Sequence, residues 1–339
     1  IATFYTDYGY DGDPQSDFIS GIPYQYYTIG CVLMVLIIAV TGWDYGPMKK
    51  AEDRARLTGQ LYRPGADIKR KVEELDLPEG AKPSIWNMLL PIIVLLTFIF
   101  VGLFYTGDIK TNGILGSLAN GSSLKALDTA FILASITAMI MGMATKVFSF
   151  KKAVNTFIEG CTNMMEVLII LMLAWGIGSI CAACGTSDWI VNTCQGFLTP
   201  TSMCAIIFIA ACLTSFATGS SWSVFAIFTP IACSLTISIG APVGMAIGVV
   251  LSGGIFGDHC SPVSDTTVMS SMGSSCDHID HVNTQLPYAL TVAVSALIGY
   301  IVCGLMQGGA FIGLAITIIL ICASSFLLNR HFGRGKDKR

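Results

Sequence analysis

An all-α polytopic membrane protein is the fold class this chain predicts, and three observations predict it. First, 53% of the 339 residues are hydrophobic and only 12% are charged, where soluble domains carry about 25% charged residues. Second, the apolar residues fall in long continuous runs, as the mean hydropathy of +0.68 suggests. Third, no lysine or arginine lies between Lys152 and Arg330. A stretch that long without a basic side chain is at home in lipid, where each such charge costs about 2.5–3.5 kcal/mol at the bilayer centre.

The elements follow in order from the need for about 20 apolar residues per helical crossing. The candidate runs are Tyr24–Thr41, Ile85–Tyr105, Asp128–Thr145, Val154–Ala183, Ser202–Thr218, Ser223–Gly240, Val243–Phe256, Tyr288–Met306 and Phe311–Leu328. The loop Trp43–Ser84 holds Lys49, Lys50, Arg54, Arg56, Arg63, Lys69, Arg70, Lys71 and Lys82. The excess of basic residues on cytoplasmic loops puts this loop inside, with the Lys146–Lys152 turn and the tail RHFGRGKDKR on the same side. Within the loop, Arg63–Glu79 reads as a solvated amphipathic helix. Asp128 reads as a helix-start residue. Nucleic acid is excluded as a partner, since no concentrated basic face exists. The cysteines sit mostly in apolar runs and behave as small hydrophobes. Cys260 and Cys276 read the same way.

Ionisable groups inside the apolar half carry the functional signal. Between Trp189 and Asn329 the only carboxylates are Asp258, Asp265, Asp277 and Asp280, in one stretch with His259, His278 and His281. Acids with no basic partner in sequence reach attract cations. Two segments also break the apolar pattern: Ser215–Ser223, centred on Thr218-Gly-Ser220-Ser221, and Gly253–Thr267, with Asp258, Ser261, Pro262, Ser264, Asp265, Thr266 and Thr267. Unwound backbone survives at membrane depth only where protein or water satisfies it. Transporters use such breaks to coordinate Na⁺ or H⁺ with carbonyls and side-chain oxygens. A buried carboxylate whose pKa rises toward neutrality serves both ions.

Asp258 and Asp265 are therefore the expected shared cation ligands, with Thr218, Ser220, Ser221, Ser261, Ser264, Thr266 and Thr267 as neutral oxygen ligands. His259, Asp277, His278, Asp280 and Glu166 are proton-exchange or gating candidates. Glu159 shares a helix face with Glu166. Alternatives stay open at two places. The Ser215–Ser223 segment also suits a small-residue helix contact, and Asp277–His281 also suits an extramembrane loop or a zinc site. No HExxH pairing supports a metalloenzyme, and the reading is of a non-enzyme without cofactors.

These residues resemble the NhaC family of Na⁺/H⁺ antiporters. FATGSSWSVFAIFTPIA (216–232) is similar to that family's FATGTSWG segment. GDHCSPVSDTTVMSSMGSSCDHIDHVNTQLPYAL (257–290) is similar to its most distinctive signature, and WDYGPMKKAE (43–52) and LAWGIGSICAACGT (173–186) also look familiar. Ser220 and Ser223 depart from the family's usual Thr and Gly.

The resemblance implies an inverted-repeat secondary transporter with a re-entrant hairpin and broken helices, its first repeat mostly missing. The expected organisation is 1–42, the end of that repeat; 43–84, a charged cytoplasmic loop; 85–329, a second repeat with a hairpin at 201–240 and a broken helix at 242–286; and 330–339, a basic tail. Ile22-Pro23-Tyr24 and Leu286-Pro287-Tyr288 are a weak internal repeat in keeping with this. The implied activity is Na⁺/H⁺ exchange, with coupled transport of a small organic acid or amino acid as the alternative. Expected partners are membrane lipid, Na⁺ and H⁺, and a second copy of the chain; the expected location is the plasma membrane.

Overall fold

The computed structural model describes residues 5, 10–66, 80–82, 84–185, 189, 199–274, 276–307 and 309–333; a few helical side chains, those of Glu166 and Asp265 among them, lie outside the description. The described residues are helical, without strands, and form two compact units. Among the described residues, eight helices are long and apolar enough to cross a membrane, by length and composition. This is an all-α polytopic membrane protein. Most of the expected solvated helix at Arg63–Glu79 lies outside the described residues.

The smaller unit, Glu73–Glu166, contains α4 (Trp86–Thr106), α5 (Ile109–Asn120) and α6 (Ser123–Ala144). Helices α4 and α6 pack where both are small: a Cβ on Gly102 would lie 2.7 Å from the Cβ of Ala126. Close backbone approach through small residues is how helices associate without a hydrophobic driving force. Asp128 corrects its expected role. Helix α6 starts at Ser123, so Asp128 is exposed in its second turn and not at the start. The apolar run did not reveal the amphipathic first turn. Helix α7 (Phe150–Ala183) follows, and contains Glu159 and Glu166.

The larger unit comprises Ile1–Val72 and Val167–Arg339. Its early part has α1 (Pro14–Gly21), a 3₁₀ turn (Ile22–Tyr24), α2 (Tyr26–Thr41) and α3 (Gly46–Thr58). Gly42 ends α2 in the left-handed conformation, a common stop signal. In α3 the expected loop is helical, with Lys49 and Asp53 paired one turn apart. The preceding motif docks it: the Tyr45 hydroxyl lies 3.0 Å from Thr291, and Tyr288 donates to Asp44 at 3.1 Å.

The later part has α8 (Pro200–Thr218), α9 (Ser221–Ser238), α10 (Val243–Cys260), α11 (Asp265–Gly273), α12 (His278–Leu305) and α13 (Ala310–Leu328), ending in a π turn at Asn329–Gly333. Helix α10 is the axis of this unit. Its glycines let neighbours approach: a Cβ at Gly253 would lie 2.6 Å from Ala211, and Ser215 donates to the Gly254 carbonyl at 2.5 Å. The aromatic core sits beside it, where Tyr26 stacks on Tyr300 at 4.5 Å and Tyr300 donates to the Tyr24 carbonyl at 2.7 Å.

The weak repeat gains a structural parallel. Asp13 caps α1 by accepting from Ser16 N, and Asp277 caps α12 by accepting from Asp280 N. In each case the capping Asp stands nine residues before the Ile/Leu-Pro-Tyr triplet. Gly21 of the first copy packs against the start of α10, at Gly244. Gln285, at the same register in the second copy, donates to the His259 carbonyl at the end of α10. The two segments thus meet opposite ends of one helix.

Candidate functional site: a carboxylate at a helix break

Helix α10 stops at Cys260, four residues ahead of α11, and Pro262 lies between them. Proline supplies no N–H to continue the helix. Ser261 N still reaches back to the Gly257 and Asp258 carbonyls at 3.0 and 3.3 Å, closing the last turn. Ser264 then opens α11: its Oγ accepts from Thr267 N at 3.3 Å, the bond of an N-cap.

Asp258 spans this break. It is only 6% exposed. Its Oδ1 accepts from Ser264 Oγ at 2.9 Å and its Oδ2 from Thr266 Oγ1 at 2.8 Å. The two hydroxyls lie 2.8 Å apart. Thr267 donates to the Asp258 carbonyl at 3.2 Å. A carboxylate in the last turn of its own helix is poorly placed against that helix's dipole. Lying against the first turn of α11 compensates, because the free N–H groups there favour negative charge.

Four oxygens therefore close into a ring: two of Asp258, one each of Ser264 and Thr266. Three short edges share two hydroxyl protons. Rotating either hydroxyl turns a lone pair inward, so the ring is suited to a hard cation, which takes oxygen ligands. Among the described residues no group of three His, Cys, Asp or Glu side chains converges as metal ligands do.

The other expected residues take varied places. Asp265 is the first residue of α11, but its side chain lies outside the description, as does that of Glu166. Ser261 is buried and its Oγ accepts from Val263 N at 3.4 Å. The hairpin tip meets the break through backbone. Gly219 has φ +67° and sits so close to Val263 that a Cβ would lie 2.8 Å from Val263 Cγ2. Thr218 instead directs its hydroxyl to the Thr214 carbonyl at 2.9 Å, within its own helix. Ser220 and Ser221 are half-buried at the same turn.

The histidines hold elements together. His259 Nδ1 lies 3.3 Å from the hydroxyl of buried Tyr27. His278 Nε2 lies 2.7 Å from the Pro262 carbonyl, so it carries a proton, and its Nδ1 lies 3.1 Å from Ser271 Oγ. Asp277 and Asp280 correct an expectation. The stretch has no lysine or arginine in sequence, yet Arg63 reaches both: its Nε lies 2.7 Å from Asp280 Oδ1 and its Nη2 3.6 Å from Asp277 Oδ1. Local reading missed Arg63 and Tyr27, which come from distant elements and belong to no motif, and did not single out Gln285 within the signature stretch.

Beside the ring is a cavity of about 590 Å³. Thr266, Thr267, Ser270, His259, His281 and Gln285 supply its polar wall; Met34, Ile38 and Val292 lie on the apolar side. Among the described residues no Lys, Arg, Asp or Glu lines it.

The Na⁺/H⁺ antiporter family matches over residues 10–305. An uncharacterised protein of Haemophilus influenzae is 32% identical over 320 residues, covering 91% of this chain and 59% of the relative. The malate-2H(+)/Na(+)-lactate antiporter of Bacillus subtilis is 28% identical, covering 56% and 40%. The arginine/ornithine antiporter of Halobacterium salinarum is 29% identical, covering 70% and 45%. The chain thus spans about half the length of the curated relatives it matches. No solved structure matches. With nearly nine-tenths of its residues matched, the chain belongs to the Na⁺/H⁺ antiporter family, a family of secondary transporters and not of enzymes.

Proposed function

We propose that the complete protein exchanges Na⁺ for H⁺ across the plasma membrane by alternating access, of the elevator or rocking kind, with Asp258 as the shared ligand. The observation that carries this reading is the buried Asp258 carboxylate closed into a ring with the hydroxyls of Ser264 and Thr266. Sodium and a proton compete for that carboxylate. The loaded states are neutralised and cross, whereas the empty charged state crosses poorly. Asp265, Ser261 and Thr267 are the next candidate ligands in the same break.

The test is proton movement driven by a Na⁺ gradient in proteoliposomes of the full-length protein. Asp258→Asn is expected to abolish it. Unchanged exchange at an unchanged apparent Na⁺ affinity would overturn the assignment.

A second reading is favoured by the cavity. It has the size of a small-molecule site, and Thr266 and Thr267 belong both to its wall and to the surroundings of Asp258. A small organic acid or amino acid carried with the ion would sit there, touching the hydroxyls that hold the carboxylate. Two relatives named above exchange organic solutes. Solute uptake in the same vesicles separates the two readings. The basic loops support a cytoplasmic C-terminus, which a C-terminal reporter fusion checks.

A further inference from the structure

We propose that Arg63, from the charged loop outside the signature stretch, is a positioning residue of the cation site. This rests on reading Asp258 as the cation ligand. The chain of contacts is continuous. Arg63 pairs with Asp280 at 2.7 Å and with Asp277 at 3.6 Å. Asp277 is 4% exposed and uses the same Oδ1 to cap α12 through Asp280 N. The next residue, His278, holds the Pro262 carbonyl at 2.7 Å. Pro262 lies in the four-residue break, two residues before Ser264, whose hydroxyl holds Asp258.

Each link has a physical reason. A carboxylate as buried as Asp277 needs a positive partner or a set of donors, and a guanidinium offers both charge and directed N–H groups. The loop that presents it is itself fixed: Arg54 donates to the Gln60 and Leu61 carbonyls at 3.3 and 3.0 Å. His278 has both ring nitrogens engaged, one on the break and one on Ser271, a residue buried in α11. Moving the start of α12 therefore moves the loop that shapes the oxygen ring. A ligand set displaced by a fraction of an ångström binds its ion less well while the rest of the cycle is untouched.

The experiment uses the full-length protein in proteoliposomes. Arg63→Gln is expected to raise the Na⁺ KM about tenfold, within the ordinary range of coupling between sites, with the maximal rate changed less than about twofold. Arg63→Lys should recover part of the affinity, since it keeps the charge and loses the directed fork. Asp280→Asn should act like Arg63→Gln, and the double variant should be no worse than either single one, as for two members of one contact. A Na⁺ KM unchanged in Arg63→Gln, or effects of the two variants that multiply, would overturn the proposal.

A second readout does not depend on transport. Cys276 is half-buried next to Asp277. Site-resolved labelling of Cys276 by a membrane-impermeant maleimide is expected to speed up in Arg63→Gln by about fivefold, because the segment is released. Faster labelling with no ion dependence on Asp258 would mean that the clamp stands and the Na⁺/H⁺ reading fails. Equal labelling rates in wild type and variant would mean that the clamp itself fails.

Discussion

Asp258 and the Asp277–Asp280 pair are separated by one short helix, yet their surroundings are opposite in kind. Asp258 is buried among hydroxyls. Asp277 and Asp280 meet a guanidinium that is 43% exposed, and Asp277 also caps a helix by accepting from Asp280 N. Neutral donors stabilise a carboxylate while leaving its charge available to an incoming ion. An arginine cancels that charge and fixes the side chain. The difference fits the division of labour proposed above for acids close in sequence: Asp258 as the ion's ligand, Asp277 and Asp280 as its frame.

The experiments that break or sharpen this comparison run from large effects to small. Asp258→Asn is expected to lower Na⁺-driven proton movement by at least about a hundredfold, the loss typical of a charge that the reaction cannot replace. If Asp280→Asn in the same assay did equal damage, the two regions would not differ in role. Next, Ser264→Ala and Thr266→Ala each remove one hydrogen bond to a charged group, a loss of about 1.5–3 kcal/mol. Each should raise the Na⁺ KM by about tenfold or more, read by initial rates over a sodium titration.

Gly219→Ala comes third. It adds a Cβ against Val263 at positive φ, and is expected to cost about 1–3 kcal/mol of stability, visible as a lower melting temperature in detergent. The smallest effect is expected for Thr218→Val. That hydroxyl returns to its own helix, so the Na⁺ KM should change less than about twofold, a surface-like change. A tenfold rise would bring the hairpin hydroxyls into the site.

Legibility differed between fold and site in a physical way. The runs Ser202–Thr218 and Ser223–Gly240 anticipated α8 and α9 to within a few residues, because lipid demands continuous apolar length. The break after Cys260 was legible in part: Pro262 marks it, but Gly253, Gly254 and Gly257, in the expected Gly253–Thr267 segment, stay inside α10. Asp128 was misplaced because a helix start with Leu124 and Lys125 has no strong apolar period. The ring around Asp258 was half legible: Ser264 and Thr266 are near in sequence, but nothing in the sequence says which hydroxyls face the carboxylate. Thr218 shows this, being as promising in sequence and turned elsewhere in the fold.

By itself, the sequence determined that this chain lies in a membrane, where its helices run, and which carboxylates stand far from any local base. Those are properties of composition and of short-range geometry, fixed by the solvent and by backbone chemistry. Only the tertiary structure decided which of those carboxylates has a base after all. Arg63 and Asp280 are more than two hundred residues apart, and no local rule links them. Charge pairing across such a distance is settled by how helices and loops pack, not by what stands next in the chain.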